Sequence, residues 1–396
     1  MIRFKCLLLF LLLSPPLWAD EGIVQFKALS GAGVLIQSAL GETIVSQQHQ
    51  QAFMPASTAK LMTAWLALTH WGEEYRFQTQ FYFDDKTKTL WVKGGGDPFL
   101  ISQELTLIAK NLKKRGIVRV NTIGLDTRLF SSGLIVPGST TTSNPYDASP
   151  TALAANFNTI AVKKVAGKWV SAEPQTVLTP MAAKWAKRHS KLGNNLRVNT
   201  GRNTKNSERY FAELLAALMR KQGIKTANKV IWGTVPIAQP IYTHENSHTL
   251  ADITQGMLTY SSNFIANQLV LALAADYYQR PANFTDVADY ISLKLKRLNW
   301  PNAVIVEGAG LSRDNRLSPA QLVSILTEFQ RWRHLMPEVE NGIYAKSGTL
   351  TGVSTLAGYM VDKHNDWHPF ALMLPRSLSH QRRNAIVRKL ARHYID

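Results

Sequence analysis

The sequence has little cysteine, few charged side chains and no apolar run long enough to cross a bilayer. Its one cysteine among 396 residues is Cys6, which lies in an N-terminal segment that we expect to be removed, so disulfides contribute nothing to the mature fold. Charged residues make up 18% of the chain and hydrophobic residues 45%, a balance typical of a soluble globular protein. A chain of this length can bury a sizeable core and is expected to form more than one domain.

The N-terminus has the pattern of a signal peptide. Arg3 and Lys5 precede the apolar residues 7–13, and Ala19 stands at the last position of a candidate cleavage site before Asp20. Residues 7–13 are too few to span a bilayer. We therefore predict a cleavable signal peptide over residues 1–19 and a periplasmic or secreted protein.

The sequence is strongly basic. The formal net charge is +18, the pI is near 9.9, and loss of Arg3 and Lys5 leaves 18 − 2 = +16. Such a charge attracts polyanions, which for an exported protein are cell-wall polymers or the anionic headgroups of a membrane surface; a solvated basic surface is the alternative. Because the basic residues are spread along the chain and no nucleic-acid-binding module is present, we expect no nucleic-acid partner.

The most informative segment covers residues 54–68. Apolar residues recur there at helical spacing after Pro55 and continue to the breaker Gly72. Ser57 and Lys60 are one helical turn apart, which places their Cβ atoms roughly 5–6 Å from each other. Serine needs a base beside it to become a nucleophile, and lysine becomes a base only when burial or a nearby cation lowers its pKa. The pair predicts a serine nucleophile and its base, although S-x-x-K in isolation is more often a helix cap followed by a solvated lysine.

Two further segments complete a set of motifs. Ser261 and Asn263 give S-x-N, and Lys346, Ser347 and Gly348 give K-[ST]-G, in the order that this class of acyl-transfer enzymes requires. Without the other motifs, the S-x-N residues would be interpreted as ordinary helix caps. Three motifs in order indicate acyl transfer through a serine nucleophile.

Two other segments match known binding motifs but do not predict the corresponding sites. Residues 94–98 are glycine-rich, but no G-K-[ST] or G-x-G-x-x-G follows, so they predict a turn and not a phosphate site. His244 and His248 match H-E-x-x-H, yet the residues before them look extended, and Asn246 with Ser247 is a better helix start than a helix interior. We therefore expect no metal site.

The remaining chain alternates between strand and helix patterns. Strand signals occur at residues 33–37, 43–46, 77–83, 90–92, 117–120, 159–165, 355–360 and 370–374. Helical spacing of apolar residues occurs at residues 105–112, 181–188, 211–218, 251–258, 264–277 and 381–393. Because 261 − 57 = 204 positions separate the first two motifs, residues 78–235 are predicted to form an insertion domain, and residues 20–77 with 236–396 a catalytic domain.

Together these motifs resemble the penicillin-binding protein 4 family of serine-type D-alanyl-D-alanine carboxypeptidases (DacB-like, peptidase S13), from about residue 25 to the C-terminus. The resemblance extends to residues 94–98, 308–313 and 349–359. This sequence departs from the family in having Ser347 in place of Thr, Glu307 and Ala309 where Asp and Ser are usual, and a short segment between the first two motifs.

The resemblance implies an α/β (α+β) fold. It consists of a penicillin-recognising serine transpeptidase/β-lactamase-like domain, in which helices flank an antiparallel sheet, and an inserted smaller α/β domain.

The resemblance also implies a role for each motif residue. Ser57 attacks the substrate carbonyl after Lys60 accepts its proton, and backbone N–H groups of Ser57 and Thr349 form the oxyanion hole. Ser261 relays a proton to the leaving amine, while Asn263 holds Lys60 and the substrate amide. No cofactor is implied.

The third motif is implied to bind the substrate. Lys346 supplies positive potential, and Ser347 and Thr349 bind the substrate carboxylate. Gly348 allows a ligand backbone to approach the strand closely. Arg313 is a further candidate for the same carboxylate.

The implied reaction is D-Ala-D-Ala carboxypeptidase and/or DD-endopeptidase cleavage of peptidoglycan stem peptides, with β-lactams as covalent inhibitors. A serine β-lactamase shares the motifs but is disfavoured by the 204-position spacing. A non-catalytic peptidoglycan-binding scaffold is suggested by Glu307, Ala309 and the short insertion. The sequence leaves open the oligomeric state, the preference between the two cleavages and the diamino acid of the substrate.

Overall fold

The computed structural model describes residues 31–300 and 302–395. The predicted signal peptide lies outside the described residues. The described chain forms three β-sheets with helices packed on and between them.

The strands alternate with the helices along the chain. In chain order they are β1 (Gly33–Gln37), β2 (Thr43–Gln47), β3 (Gln78–Asp84), β4 (Thr89–Lys93), β5 (Arg119–Asp126), β6 (Thr159–Val165), β7 (Lys168–Ser171), β8 (Asn195–Asn199), β9 (Lys225–Trp232), β10 (Tyr242–Glu245), β11 (Glu338–Glu340), β12 (Ile343–Leu350), β13 (Val353–Val361) and β14 (Trp367–Leu374). The α-helices are α1 (Lys60–Trp71), α2 (Ser102–Lys114), α3 (Pro180–Arg188), α4 (Thr204–Lys221), α5 (Leu250–Tyr260), α6 (Asn263–Tyr278), α7 (Phe284–Arg297), α8 (Pro319–Phe329) and α9 (His380–Tyr394).

The largest sheet joins the two ends of the described chain. Its six strands are antiparallel in the order β11-β12-β13-β14-β1-β2. Because side chains alternate between the faces of a sheet, Leu35 and Ala371 pack with α8 on one face, while Val34 and Leu372 pack with α9 on the other. Helices therefore cover both faces, as the predicted fold class requires.

The core of this part of the molecule is helical. α6 is apolar on all sides and is buried along most of its length, as expected of a helix surrounded by other elements. α1 packs against α5, α6 and α8 and ends at Gly72, whose φ of +82° suits glycine. This packing holds the start of α1 between α6 and the main sheet.

The two smaller sheets lie between α1 and α5 in sequence. The order β10-β3-β4-β5-β9 combines antiparallel and parallel pairs, and a second core packs α2 and α4 against this sheet. The third sheet is antiparallel, in the order β7-β6-β8. β10 follows residue 235 and pairs with β3, so this sheet extends beyond the predicted insertion of residues 78–235; the domain division stays a prediction.

Most of the predicted elements are present within a few residues of their expected bounds. α7 and α8 are absent from the prediction, although both begin with a capping box, formed by Asn283 with Asp286 and by Ser318 with Gln321. These pairs were the available sequence signal for the two helices.

Candidate active site

Ser57 lies in a tight turn against the main sheet. The predicted helix begins as one turn of 3₁₀-helix, Ala56–Ala59, and continues as α1 from Lys60. The carbonyl oxygen of Pro55 accepts hydrogen bonds from the hydroxyls of Thr58 (2.7 Å) and Thr355 (2.8 Å), and the second of these ties the turn to β13. The serine is thereby fixed relative to the sheet edge that carries the third motif.

Two glycines allow the backbone to crowd around this turn. A Cβ atom at Gly310 would lie 1.8 Å from the Ala56 oxygen, and one at Gly348 would lie 2.8 Å from the Ser57 nitrogen. Only glycine fits both positions without moving Ser57. Gly310 also has a φ of +81°, so a side chain there would be strained as well as crowded.

Lys60 is at the centre of the site and is fully buried. Its Nζ lies 3.0 Å from Ser57 Oγ, 2.8 Å from Asn263 Oδ1 and 2.7 Å from the Ala309 carbonyl oxygen. A neutral amine has two N–H donors and one lone pair, and the amide and carbonyl oxygens can only accept. When the amine is neutral, these two oxygens take both N–H groups, so the lone pair is left for the Ser57 hydroxyl proton.

The electrostatic surroundings favour the neutral amine. Burial lowers the pKa of Lys60 well below its ordinary 10.5, the cation of Lys346 lowers it further, and the carboxylate of Glu307 acts in the opposite direction. Charging a buried amine costs free energy because water is lost around it. The arrangement can therefore supply the base that a serine nucleophile needs.

The S-x-N residues lie at the junction of α5 and α6. Asn263 is the first residue of α6, and its Nδ2 donates to the Tyr146 carbonyl oxygen at 3.2 Å, which directs Oδ1 towards Lys60. Ser261 ends α5 in a left-handed conformation, with φ +53°. Its side chain is half-buried and lines a cavity of about 620 Å³ with Asn263. The structure thus places Asn263 in direct contact with Lys60, and Ser261 beside it in the turn.

The K-[ST]-G residues lie on β12, next to the Ser57 turn. Lys346 is buried, and its Nζ donates to the Ser347 carbonyl oxygen at 2.8 Å. Burial, and secondly the Arg383 guanidinium, lower the pKa of Lys346 to about 8. Ser347 is half-buried and Thr349 is exposed, so the strand presents cationic and hydroxyl groups at the edge of the site.

Arg313 is exposed and is held near the turn that follows β12. Its Nη2 donates to the Thr351 carbonyl oxygen at 2.8 Å. Its Nη1 lies 3.9 Å from Met54 Sδ, so the guanidinium bridges the β12–β13 connection and the segment that leads to Ser57.

Glu307 belongs to the site although no role is predicted for it from the sequence. Its carboxylate is fully buried and accepts hydrogen bonds from the backbone N–H groups of Ala309 (2.7 Å), Leu311 (2.7 Å) and Ser312 (3.3 Å) and from Asn315 Nδ2 (2.8 Å). This carboxylate fixes the loop whose Ala309 carbonyl contacts Lys60. The available sequence signal was an acidic residue followed by two glycines at positions 308 and 310.

The loop uses the backbone of residue 309 and not its side chain. Thr63 Oγ1 donates to the Gly308 oxygen at 2.7 Å and the Gly308 N–H donates to Asn267 at 2.8 Å, so the segment is anchored on both sides. An alanine at position 309 therefore leaves the contact with Lys60 intact, which weakens the case for a decayed site.

The H-E-x-x-H match does not form a helix. His244 lies on β10, pairs with Thr79 and contacts Glu104 at 2.8 Å, while His248 packs edge-on against Phe99. The two histidines therefore do not share the helix face that the zinc motif requires. Among the described residues no group of three or more His, Cys, Asp or Glu side chains is placed to hold a metal ion.

The part of the chain that the structure describes contains no helix with the length and apolar character needed to cross a bilayer.

Known proteins are similar to this chain in sequence and in fold. D-alanyl-D-alanine carboxypeptidase DacB from Haemophilus influenzae is 26% identical, over 85% of this chain and 84% of the relative. The crystal structure of penicillin binding protein 4 (dacB) from the same species has a TM-score of 0.69 at 23% identity and covers 91% of this chain and 94% of that one. A penicillin G-acylated predatory endopeptidase from Bdellovibrio bacteriovorus has a TM-score of 0.50 at 13% identity, with 91% and 90% coverage. These likenesses confirm the predicted fold class.

The sequence comparison reaches further than the fold. The model of the D-Ala-D-Ala carboxypeptidase 3 (S13) family matches residues 20–190 and 191–337, which together are most of the sequence. This match confirms the resemblance inferred from the motifs, and the chain belongs to the D-Ala-D-Ala carboxypeptidase 3 (S13) family.

Proposed function

We propose that this protein is a serine-type D-Ala-D-Ala carboxypeptidase and/or DD-endopeptidase that acts on peptidoglycan stem peptides through an acyl-enzyme at Ser57. The observation that carries this function is the environment of Lys60: its buried amine lies 3.0 Å from Ser57 Oγ and faces two oxygens that can only accept. Membership of a carboxypeptidase family supports the choice of substrate.

The reaction begins with transfer of the Ser57 hydroxyl proton to the neutral Lys60 amine. Oγ then forms a bond to the carbonyl carbon of the scissile peptide, and the resulting oxyanion is stabilised by the backbone N–H groups of Ser57 and Thr349. The C–N bond breaks, and the leaving amine receives a proton through Ser261. Water hydrolyses the ester by the reverse sequence of proton transfers and restores the serine.

The substrate is oriented by the charged edge of β12. Lys346 is cationic below its pKa of about 8, and Ser347, Thr349 and Arg313 offer hydrogen-bond donors for the terminal carboxylate of a stem peptide. Gly348 permits close approach of the substrate backbone to the strand. Asn263 contributes its amide both to Lys60 and to the substrate.

We place this activity outside the cytoplasm, in the periplasm or in the secreted fraction. The signal-peptide pattern of residues 1–19 supports this location. The high net positive charge supports peripheral contact with anionic polymers or membranes.

Labelling with a fluorescent penicillin tests the nucleophile. We expect the purified protein to form a covalent adduct that survives denaturation and that is lost in Ser57→Ala. Ser262→Ala is the matched control, because it removes a nearby hydroxyl that caps α6 and should keep the adduct. Absence of an adduct from the folded wild-type protein would overturn the acyl-enzyme.

Mass spectrometry of muropeptides separates the possible activities. Release of D-alanine indicates carboxypeptidase activity, and conversion of cross-linked dimers to monomers indicates endopeptidase activity. Fast turnover of nitrocefin would favour the serine β-lactamase instead. Binding to sacculi without any released product would favour the scaffold protein.

A further inference from the structure

Lys and Arg are spread along the chain, but their excess over Asp and Glu is concentrated in one region. Residues 78–235 contain 24 Lys and Arg against 9 Asp and Glu, a net charge of 24 − 9 = +15. Residues 20–77 and 236–396 contain 19 basic and 18 acidic residues, a net charge of 19 − 18 = +1. The region that lies between the first two motifs therefore accounts for almost all of the charge that a polyanion would meet.

Within that region, the segment that contains the smallest sheet has the largest excess of basic over acidic residues. Residues 159–202, which form β6, β7, α3 and β8, contain nine basic residues and a single acidic one, Glu173. Glu173 lies 3.6 Å from Arg197. The other basic residues of this segment thus have no acidic neighbour in their own sheet.

Four exposed lysines of this segment lie at one end of the sheet, which we call the basic end: Lys163, Lys164, Lys168 and Lys191. The register of β6 explains their proximity. Lys163 pairs with Asn195 on one side, Val165 pairs with Lys168 on the other, and the N–H of Lys164 bonds to the Asn194 oxygen at 2.8 Å. Across residues 31–300 and 302–395, none of the four lysines lies within ion-pair distance of a carboxylate.

Aliphatic and aromatic side chains lie among these lysines. Val165 is 51% exposed, and Leu192, in the turn before β8, is 64% exposed. The hairpin between β6 and β7 turns through Ala166 and Gly167, both with positive φ, the tight turn that suits the twist of two paired strands. Trp169 is half-buried, and Lys164 Nζ lies 6.0 Å from the centre of its ring. Val165 is therefore presented at the end of a tight hairpin, and Leu192 lies in the short 3₁₀ turn Ser190–Leu192 that leads into β8.

We propose that the basic end docks on an anionic lipid membrane. Lysine ammonium groups bind the phosphates of the headgroups, while Val165 and Leu192 enter the boundary between headgroups and acyl chains, and a tryptophan ring suits that same interface. A soluble polyanion would need only the charges and would leave the two aliphatic side chains in water. The combination of exposed lysines with exposed aliphatic residues at one end of this small sheet selects the lipid surface.

Sedimentation with vesicles tests the surface. We expect the wild-type protein to bind vesicles of 30% phosphatidylglycerol in phosphatidylcholine and not vesicles of phosphatidylcholine alone. Changing the four lysines of the basic end to Gln should weaken binding about 100-fold or more, since each basic residue near an anionic surface contributes appreciably. Val165→Ser with Leu192→Ser should weaken it about 10-fold through lost apolar burial. A charge-matched control changes four exposed lysines elsewhere in the region to Gln: Lys114, Lys221, Lys225 and Lys229.

The outcomes separate docking through the basic end from attraction by net charge alone. The control variant should bind within about threefold of wild type, because its lysines lie on α2, α4 and β9 and not on the sheet that carries the basic end. Equal losses in the control and in the basic-end variant would overturn the assignment, as would failure of the wild-type protein to bind. Unchanged vesicle binding by the Val165 and Leu192 variant would show recognition by charge alone and would also overturn it. Covalent labelling by fluorescent penicillin verifies that each variant is folded, and vesicle binding does not depend on Ser57.

Discussion

Lys60 and Lys346 of the candidate active site, which we call the cleft, have the same side chain as the lysines of the basic end but opposite surroundings. Lys60 and Lys346 are buried, at 0% and 2% exposure, each donates to fixed oxygens, and each has a lowered pKa. Lys163 and Lys168 are exposed. An ammonium group loses hydration when it is buried and keeps it when it is exposed.

The difference shows how one residue type serves two kinds of chemistry. In the cleft, burial lowers the pKa of the lysine, so that the neutral amine is populated at a lower pH and can accept a proton. At the basic end, the exposed lysines act through electrostatic attraction to anionic headgroups, which salt screens. Burial lowers the pKa of both Lys60 and Lys346, so Lys60 can take up a proton and the positive potential of Lys346 depends on pH. Each prediction below tests one side of the contrast between these buried lysines and the exposed ones.

The largest effect is expected for Lys60→Gln. The variant keeps an amide near Ser57 but removes the base, so acylation by fluorescent penicillin should slow about 10²- to 10⁴-fold, the usual contribution of a general base. Stopped-flow or gel-based labelling measures the rate. Lys389→Gln, an exposed lysine on α9, is the control and should react like wild type. If the acylation rate of folded Lys60→Gln stayed within tenfold of wild type, Lys60 would not be the base, and this buried lysine would have no catalytic role that a surface lysine lacks.

A smaller effect, with a defined pH dependence, is expected for Lys346. Because the pKa of Lys346 is about 8, its cation is present below that pH and is lost above it, so kcat/KM for a carboxylate-bearing substrate should fall as the pH rises through about 8. Lys346→Gln should lower kcat/KM about 10- to 100-fold below pH 8, from the loss of the positive potential that attracts the substrate carboxylate. The variant should also lack this basic limb.

The same variant should move the acidic limb of the profile. The Lys346 cation lowers the pKa of Lys60, so its removal raises that pKa and shifts the acidic limb to higher pH. A pH–rate profile of the wild-type protein and the variant, on one substrate, measures both limbs. An acidic limb at the same pH in both proteins would mean that the charge of Lys346 does not affect the pKa of Lys60.

Glu307→Gln should have a smaller effect on the rate. The carboxylate holds the loop that presents the Ala309 carbonyl to Lys60, and glutamine leaves an N–H group facing a backbone N–H. We expect acylation to slow about tenfold through misplacement of the base. Since the carboxylate raises the pKa of Lys60, neutralising it should shift the acidic limb to lower pH, opposite in sign to Lys346→Gln.

Glu307→Asp separates positioning from simple loss of stability. Aspartate restores the negative charge, so the acidic limb should return towards its wild-type position even if the shorter side chain leaves the rate low. Thermal unfolding of both variants measures the structural cost. A lowered melting temperature with an unchanged pH profile in Glu307→Gln would mean that Glu307 serves the fold alone.

The proximity of Ser57, Lys60 and Asn263 was accessible to sequence reasoning because each carries a distinctive side chain at a motif position; their catalytic roles stay a prediction. Ser57, Lys60 and Asn263 are joined by hydrogen bonds, as the order of the motifs leads one to expect. The third acceptor, the Ala309 oxygen, was not accessible, because a backbone carbonyl has no sequence signature. The pairing of β10 with β3 was likewise hidden, since it joins strands separated by more than 150 positions and depends on tertiary packing.

Ionic strength should have the smallest effect on the cleft and a large one on the basic end. Raising NaCl from about 0.1 to about 1 M shortens the Debye length from roughly 10 to roughly 3 Å. Lys60 and Lys346 are shielded from solvent, so the rate of penicillin acylation should change less than about threefold, whereas the same salt should release the protein from anionic vesicles. Both measurements use one wild-type preparation, and Ser57→Ala serves as the background for labelling. An acylation rate that fell tenfold or more with salt, without unfolding, would mean that Lys60 and Lys346 are screened like solvated charges. Burial would then not distinguish the cleft lysines from those of the basic end.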